Sequence, residues 1–209
     1  MSMPLASVPS RRFRFRFSLR TLLVLMTLLA CGLGYQVWRW REHDKAVATL
    51  VALGGEVSFA KSAWLRALTG EKPFKHVTAV NLHRVPATDE HLRLLTWFPR
   101  VELVVLNRSK VTDAGMQHLA GLPKLRWLEL EGVDIGDKGL AELNDLPSLK
   151  VLRVTGSRVT NEGLKHIAPL MKNLNEFWIN GTQVTPTEVK ALREAWPTLQ
   201  IIYDRQGQR

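Results

Sequence analysis

From Val77 onward the chain repeats itself every 24 to 25 residues, and no other feature constrains its fold as strongly. Units begin at Val77, Val101, Leu125, Leu149 and Leu174. Each runs apolar-x-x-apolar-x-apolar into a turn and then a second apolar stretch. The third unit is the plainest, with Leu125, Leu128 and Leu130, then Ile135, then Leu140, Leu143 and Leu146. A fixed period of this length describes stacked supersecondary units, none of which can bury its apolar face alone. Apolar fourth and sixth positions, two apart, mark one face of a short strand. Apolar sixteenth and nineteenth positions, three apart, mark one face of a helix. Each unit is therefore expected to run strand, turn, helix, return.

The helix starts are signalled independently. Thr88, Thr112, Thr160 and Thr185 stand just before them, where a hydroxyl accepts from an orphan backbone N–H. Thr185-Pro186-Thr187-Glu188 adds proline at the first helical position and the glutamate of a capping box. Gly115, Gly139 and Gly163 share one position inside the middle helices, although glycine there costs about 1 kcal/mol against alanine. Close approach of the neighbouring unit is the expected reason. In the outermost units, where a neighbour is absent or different, His91 and Glu188 take that position.

This pattern resembles the leucine-rich repeat family. The resembling variety has V-T-D-x-G-L-x-x-L in its second half, present here as Val111-Thr112-Asp113-Ala114-Gly115-Met116 and Val159-Thr160-Asn161-Glu162-Gly163-Leu164. The ninth position, usually Asn or Cys in that family, departs from it and reads Val85, Ser109, Val133, Ser157 and Thr182. The resemblance implies an α/β solenoid, with a parallel β-sheet on the concave face and helices on the convex face. A basic, phenylalanine-containing leader, an apolar run, a linking helix and a Gly-Gly turn before few repeats also resemble membrane-anchored bacterial leucine-rich repeat proteins.

Residues 1–20 form a basic leader with Arg11, Arg12, Arg14, Arg16 and Arg20 and no acid. Residues 21–38 carry no charge. At about 1.5 Å per residue they reach close to the roughly 30 Å hydrocarbon thickness, as a single transmembrane helix. Phe13, Phe15 and Phe17 before this run, and Tyr35, Trp38 and Trp40 at its far end, suit the two interfaces. The arginine bias favours a cytoplasmic N-terminus, so the repeats would lie outside a bacterial cytoplasmic membrane, periplasmic or extracellular. A cleaved signal ending near Ala30 and Gly32, or lipidation at Cys31, are alternative readings of the same segment. Residues 39–76 are expected to form a linker helix (Glu42 to Leu53) and an N-terminal cap. The cap would hold a strand at Glu56 to Phe59 and a helix at Ser62 to Leu68, placing Val57, Phe59, Trp64 and Leu68 over the open core. Residues 77–209 are the repeat domain, closed by a partial strand at Leu199 and Ile202.

Charge argues against a nucleic-acid partner. Residues 1–45 hold 8 Lys/Arg against 2 acids, whereas residues 46–209 hold 21 against 17, too balanced for a basic stripe. Cys31 is the single cysteine, so neither an intramolecular disulfide nor a cysteine zinc site is available. His118 and His166 recur at one position of two units, as solvated helix residues do. No nucleophile–base pair, ligand cluster or phosphate loop stands at recognisable spacing, so neither enzyme activity, a cofactor nor a small-molecule substrate is expected.

Function is expected on the concave face, where the third, fifth and seventh positions of each unit point away from the core. Leu103, Val105, Trp127, Val151 and Trp178 are large apolar groups there, beside Glu129 and Arg153. Leu103, Val105, Trp127, Glu129, Arg153 and Trp178 form the candidate partner-binding set, since aromatic and arginine enrichment marks protein hot spots. Arg153 and Trp178 share a row, which predicts a cation–π contact. Self-satisfaction of the row, with Glu129 pairing Arg153 under Trp178, is the competing reading. The expected function is a membrane-anchored protein-interaction module. The alternative is a structural or self-associating envelope protein without a discrete partner.

Overall fold

The computed structural model describes residues 19–60 and 76–204. The arginine-phenylalanine leader, the expected helix at Ser62 to Leu68 with Trp64 and Leu68, and the last five residues lie outside the described residues. Two compact units are present, Met1–Arg41 and Glu42–Arg209.

One helix, α1, runs Leu19–Ala52 without a break where the sequence divided an apolar span from a linker helix. No proline interrupts residues 19–52, and Gly32 and Gly34 sit in open space, so nothing in the sequence forces a stop. α1 is long and apolar enough to cross a membrane. Within the first unit Leu22, Leu23, Val24, Leu25, Met26 and Leu29 are exposed. Within the second unit the helix is amphipathic, with Ala46 and Leu50 buried in the repeat core. Gly54, at φ +95°, ends it in a left-handed conformation open to glycine. β1 (Glu56–Phe59) follows and pairs antiparallel with β2 (Val77–Asn81). Val57 and Phe59 pack on the core, as expected of a cap. Ala46 and Leu50 join them, a contribution that the sequence reading missed.

Five repeated units then supply β2 to β6, and with β1 before them and β7 after them they build one sheet in chain order, β2 to β7 all parallel. β3 is Leu103–Val105, β4 Trp127–Glu129, β5 Val151–Arg153, β6 Glu176–Trp178 and β7 Gln200–Ile202. Between them lie α2 (Asp89–Leu92), α3 (Asp113–Ala120), α4 (Asp137–Ala141), α5 (Asn161–His166), α6 (Ala168–Met171) and α7 (Pro186–Ala195). Short 3₁₀ turns, Arg93–Trp97 and Glu142–Asp145, extend α2 and α4. Every apolar position of the first four units is buried, Val77 through Leu170. In the last unit Leu192 is only partly buried.

The equivalent glycines have a specific cause. The aspartate that opens one helix reaches into the next unit. Asp89 accepts from the Thr112 backbone N–H (2.8 Å) and hydroxyl (2.7 Å), and Asp137 does the same to Thr160 (2.8 and 2.7 Å). Asp113 takes the Gly136 N–H at 2.7 Å. Asn161 replaces the aspartate at the last junction, accepting from Thr185 N–H at 2.9 Å. A Cβ on Gly115, Gly139 or Gly163 would overlap the carboxylate of Asp89, Asp113 or Asp137. Close approach is thus made by one side chain per junction, and it joins each helix N-terminus to its neighbour.

Thr112, Thr160 and Thr185 cap their helices by accepting from Ala114, Glu162 and Glu188 N–H. The capping box expected at Thr185 and Glu188 is half formed, because no return bond from the Glu188 carboxylate is present among the described residues. A full box forms instead at Thr88, whose N–H donates to His91 Nδ1 at 3.1 Å. At the ninth position Thr182 donates to Ile179 O (2.8 Å), whereas the buried Ser109 and Ser157 hydroxyls have no partner, so no continuous ladder runs there.

The terminal strand differs from expectation by one residue. Ile201, not Ile202, pairs with Phe177 and enters the core, and Ile202 lies beside Trp178. Leu199 keeps its turn bond to Trp196 O, as Leu174 does to Met171 O. The connection from turn to strand is therefore one residue shorter than in the other units.

Candidate binding face

The strands show alternating burial, and the residues on their core-distant side form two rows. In register, Ala79, Leu103, Trp127, Val151, Glu176 and Gln200 make the third-position row. Asn81, Val105, Glu129, Arg153, Trp178 and Ile202 make the fifth. Parallel pairing without shifts holds each row in line, about 4.8 Å per strand.

At the centre, Arg153 lies between two tryptophans. Its guanidinium carbon is 4.2 Å from the Trp178 ring centre and 5.4 Å from that of Trp127. Arg153 Nη1 stands 3.4 Å from Glu129 Oε1, and the same oxygen accepts from Trp127 Nε1 at 2.7 Å. The Arg153 and Glu129 side chains are only 29% and 16% exposed. Trp178 Nε1 donates to Glu176 Oε2 at 3.1 Å. Arg153 Nε is buried and unpartnered. The contact of Trp178 with Arg153 and the pairing of Arg153 with Glu129 are the two relationships read from the sequence, and both are present together. The contact with Trp127 is diagonal across rows and was not anticipated.

Of the six candidate residues, Trp127, Glu129, Arg153 and Trp178 form this cluster. Leu103 and Val105 are half-buried on the neighbouring β3. Val151 is 6% exposed, so it adds little to an apolar surface. Three contributors escaped the sequence reading. Asn107, 7% exposed, donates to Glu129 Oε2 (2.9 Å) and accepts from Glu131 N–H (2.9 Å), which fixes the carboxylate from its far side. Glu176 holds Trp178, and Lys150 lines a hollow described below. Asn107 stands at the seventh position of its unit, Glu176 at the third and Lys150 at the second; their common signal is polarity, which a search for large apolar groups passes over.

A hollow of about 350 Å³ opens beside the cluster, lined by Glu102, Leu103, Arg126, Trp127, Lys150, Val151 and Asn175. Among the described residues no group of three or more His, Cys, Asp or Glu is placed to hold a metal ion. The face presents preset aromatic edges, one neutralised ion pair and a small recess.

No protein-family model and no curated protein matches the chain. Among solved structures, a leucine-rich repeat protein of Leptospira interrogans matches at 20% identity and TM-score 0.39, over 52% of this chain and 27% of its own. An internalin from Listeria monocytogenes matches at 19% and 0.38, over 54% and 37%. The leucine-rich repeat ectodomain of a receptor kinase from Arabidopsis thaliana matches at 13% and 0.45, over 78% and 91%. The chain thus spans about a quarter to two fifths of the length of the first two.

Proposed function

We propose that the chain is a membrane-anchored leucine-rich repeat module that binds another protein through the strand face of a curved solenoid. The single observation that carries this reading is the Trp127–Arg153–Trp178 stack, where two aromatic rings are held in place by a guanidinium on the side away from the core. Groups already fixed before binding lose little rotamer freedom on association. The anchor in this reading is the apolar part of α1, residues 21–38, with the N-terminus inside and the repeats at the outer side of a bacterial cytoplasmic membrane. The boundaries of leader, anchor, cap and repeat domain follow the sequence divisions at 20, 38 and 76.

Crosslinking in the native membrane, followed by identification of what is captured, tests this. Replacing Trp127 and Trp178 together with alanine is expected to abolish the capture seen with the wild type. Persistent capture by that variant, together with loss on changing Lys138 or Lys165 on the opposite face, would sink the reading.

A structural, self-associating role is the second reading, favoured by the way Glu129, Arg153 and Trp127 satisfy one another within one chain. Size-exclusion with light scattering of the full chain in detergent separates the two, since self-association gives concentration-dependent mass without any added partner.

A further inference from the structure

The hollow beside the stack has a composition of its own. Third-position residues Leu103, Trp127 and Val151 give it an apolar wall, and second-position residues Glu102, Arg126 and Lys150, one before each strand, bring charge to the strand entrances. Its volume of about 350 Å³ falls at the lower end of the roughly 300–1,000 Å³ typical of ligand sites. The charges are unevenly satisfied. Arg126 is exposed, and its side chain has no hydrogen-bond or ion-pair partner among the described residues. Lys150 Nζ donates to Asn173 O at 2.9 Å, which leaves two of its three N–H groups free. The two cations stand just before adjacent paired strands, where the Lys150 backbone N–H donates to Arg126 O at 2.8 Å. Arg153 offers no comparable handle, because Glu129 already faces it and both tryptophans cover it.

Two neighbouring cations bordering an apolar recess complement a ligand with carboxylates on either side of an apolar group. A bare anion would leave the Leu103–Trp127 wall unused, and a run of nucleic-acid phosphates longer than the Arg126–Lys150 pair would meet Glu102 on one side and uncharged Asn175 on the other, whereas two carboxylates match the two cations. The geometry points to an acidic segment of a partner protein, with one apolar side chain against Leu103, Trp127 and Val151 and its flanking carboxylates over Arg126 and Lys150. This rests on the protein-binding reading of the strand face and supplies the chemistry of its partner.

The test uses the full chain in detergent micelles and three fluorescein-labelled nine-residue peptides. Each has a central leucine flanked on both sides by glutamate, by glutamine or by lysine, and binding is read by fluorescence anisotropy. The glutamate peptide is expected to bind, with the lysine peptide weaker by about tenfold or more, as two exposed ion pairs made or reversed would give. At about 1 M salt, where the screening length falls to about 3 Å, the glutamate and glutamine peptides should converge. Arg126→Glu combined with Lys150→Glu should invert the preference, and an unchanged thermal midpoint would show that the variant is folded. Absence of glutamate-peptide binding up to about 1 mM, or the same preference in the double variant, overturns the inference. Equal binding of all three peptides, lost on Leu103→Asp, overturns the acidic partner and leaves the strand-face reading standing. Binding unaffected by Leu103→Asp and by the double reversal overturns both.

Discussion

The Asp113 carboxylate occupies the space that a Cβ on Gly139 would need, its Oδ1 falling 2.5 Å and its own Cα 3.0 Å from that position. Asp113 spends the contact on the Gly136 N–H at the start of the next helix. Asp89 with Gly115 and Asp137 with Gly163 repeat the arrangement. A helix glycine and an aspartate 26 residues earlier in the chain are one structural device.

Gly139→Ala should therefore destabilise the fold, although alanine is the better helix former by about 1 kcal/mol. Overpacking against a neighbouring backbone costs about 1–3 kcal/mol. Gly121→Ala, where a Cβ meets nothing within 4 Å, is the control and should be neutral or slightly stabilising. Urea denaturation of the two variants checks this, and equal effects would remove the aspartate from the account.

The eighth position of every unit lies in the left-handed region, with φ +57° at Arg84, +58° at Arg108, +63° at Gly132, +69° at Gly156 and +64° at Gly181. A side chain there costs about 1–2 kcal/mol. Arg108→Gly is expected to raise stability by about 1 kcal/mol, or roughly 2–4 °C in Tm for a chain of this size. Gly156→Ala should lower it by a similar amount. Thermal melts with the opposite order would contradict the backbone assignment.

Leu128 pairs with Val104 on one side and Leu152 on the other and is fully buried. Leu128→Ala should cost toward the upper part of the about 2–5 kcal/mol range for buried leucine truncation, because neighbouring units on both sides must close over the cavity. A nearly neutral result in chemical denaturation would mean that the repeat register is wrong.

A reporter active only outside the cytoplasm, fused after Arg209, is expected to be active, and one active only in the cytoplasm silent. The reverse result would invert the orientation. Mapping the mature N-terminus checks the anchor separately: a start at Cys31 or just after Gly32 replaces it with a processed or lipidated form.

Much of this architecture was legible in the sequence because one pattern is written five times. The leucine and valine positions fixed which residues face the core, and strand registry followed from the equivalent position in each 24- or 25-residue unit, so Arg153 and Trp178 could be placed side by side from the repeat alone. Threonines marked the helix starts through the chemistry of capping. Tertiary structure decided whatever depends on contacts between units or on a broken period. The partner of each glycine lies 26 residues away, at a distance no local rule spans. The one-residue shortening before Ile201 falls after the last full repeat, where periodicity has no further unit to enforce it. The Trp127 contact runs diagonally from row to row, and only side-chain rotamers, set by the Glu129 and Asn107 hydrogen bonds, bring that ring onto Arg153. Arg153 was thereby covered by both rings.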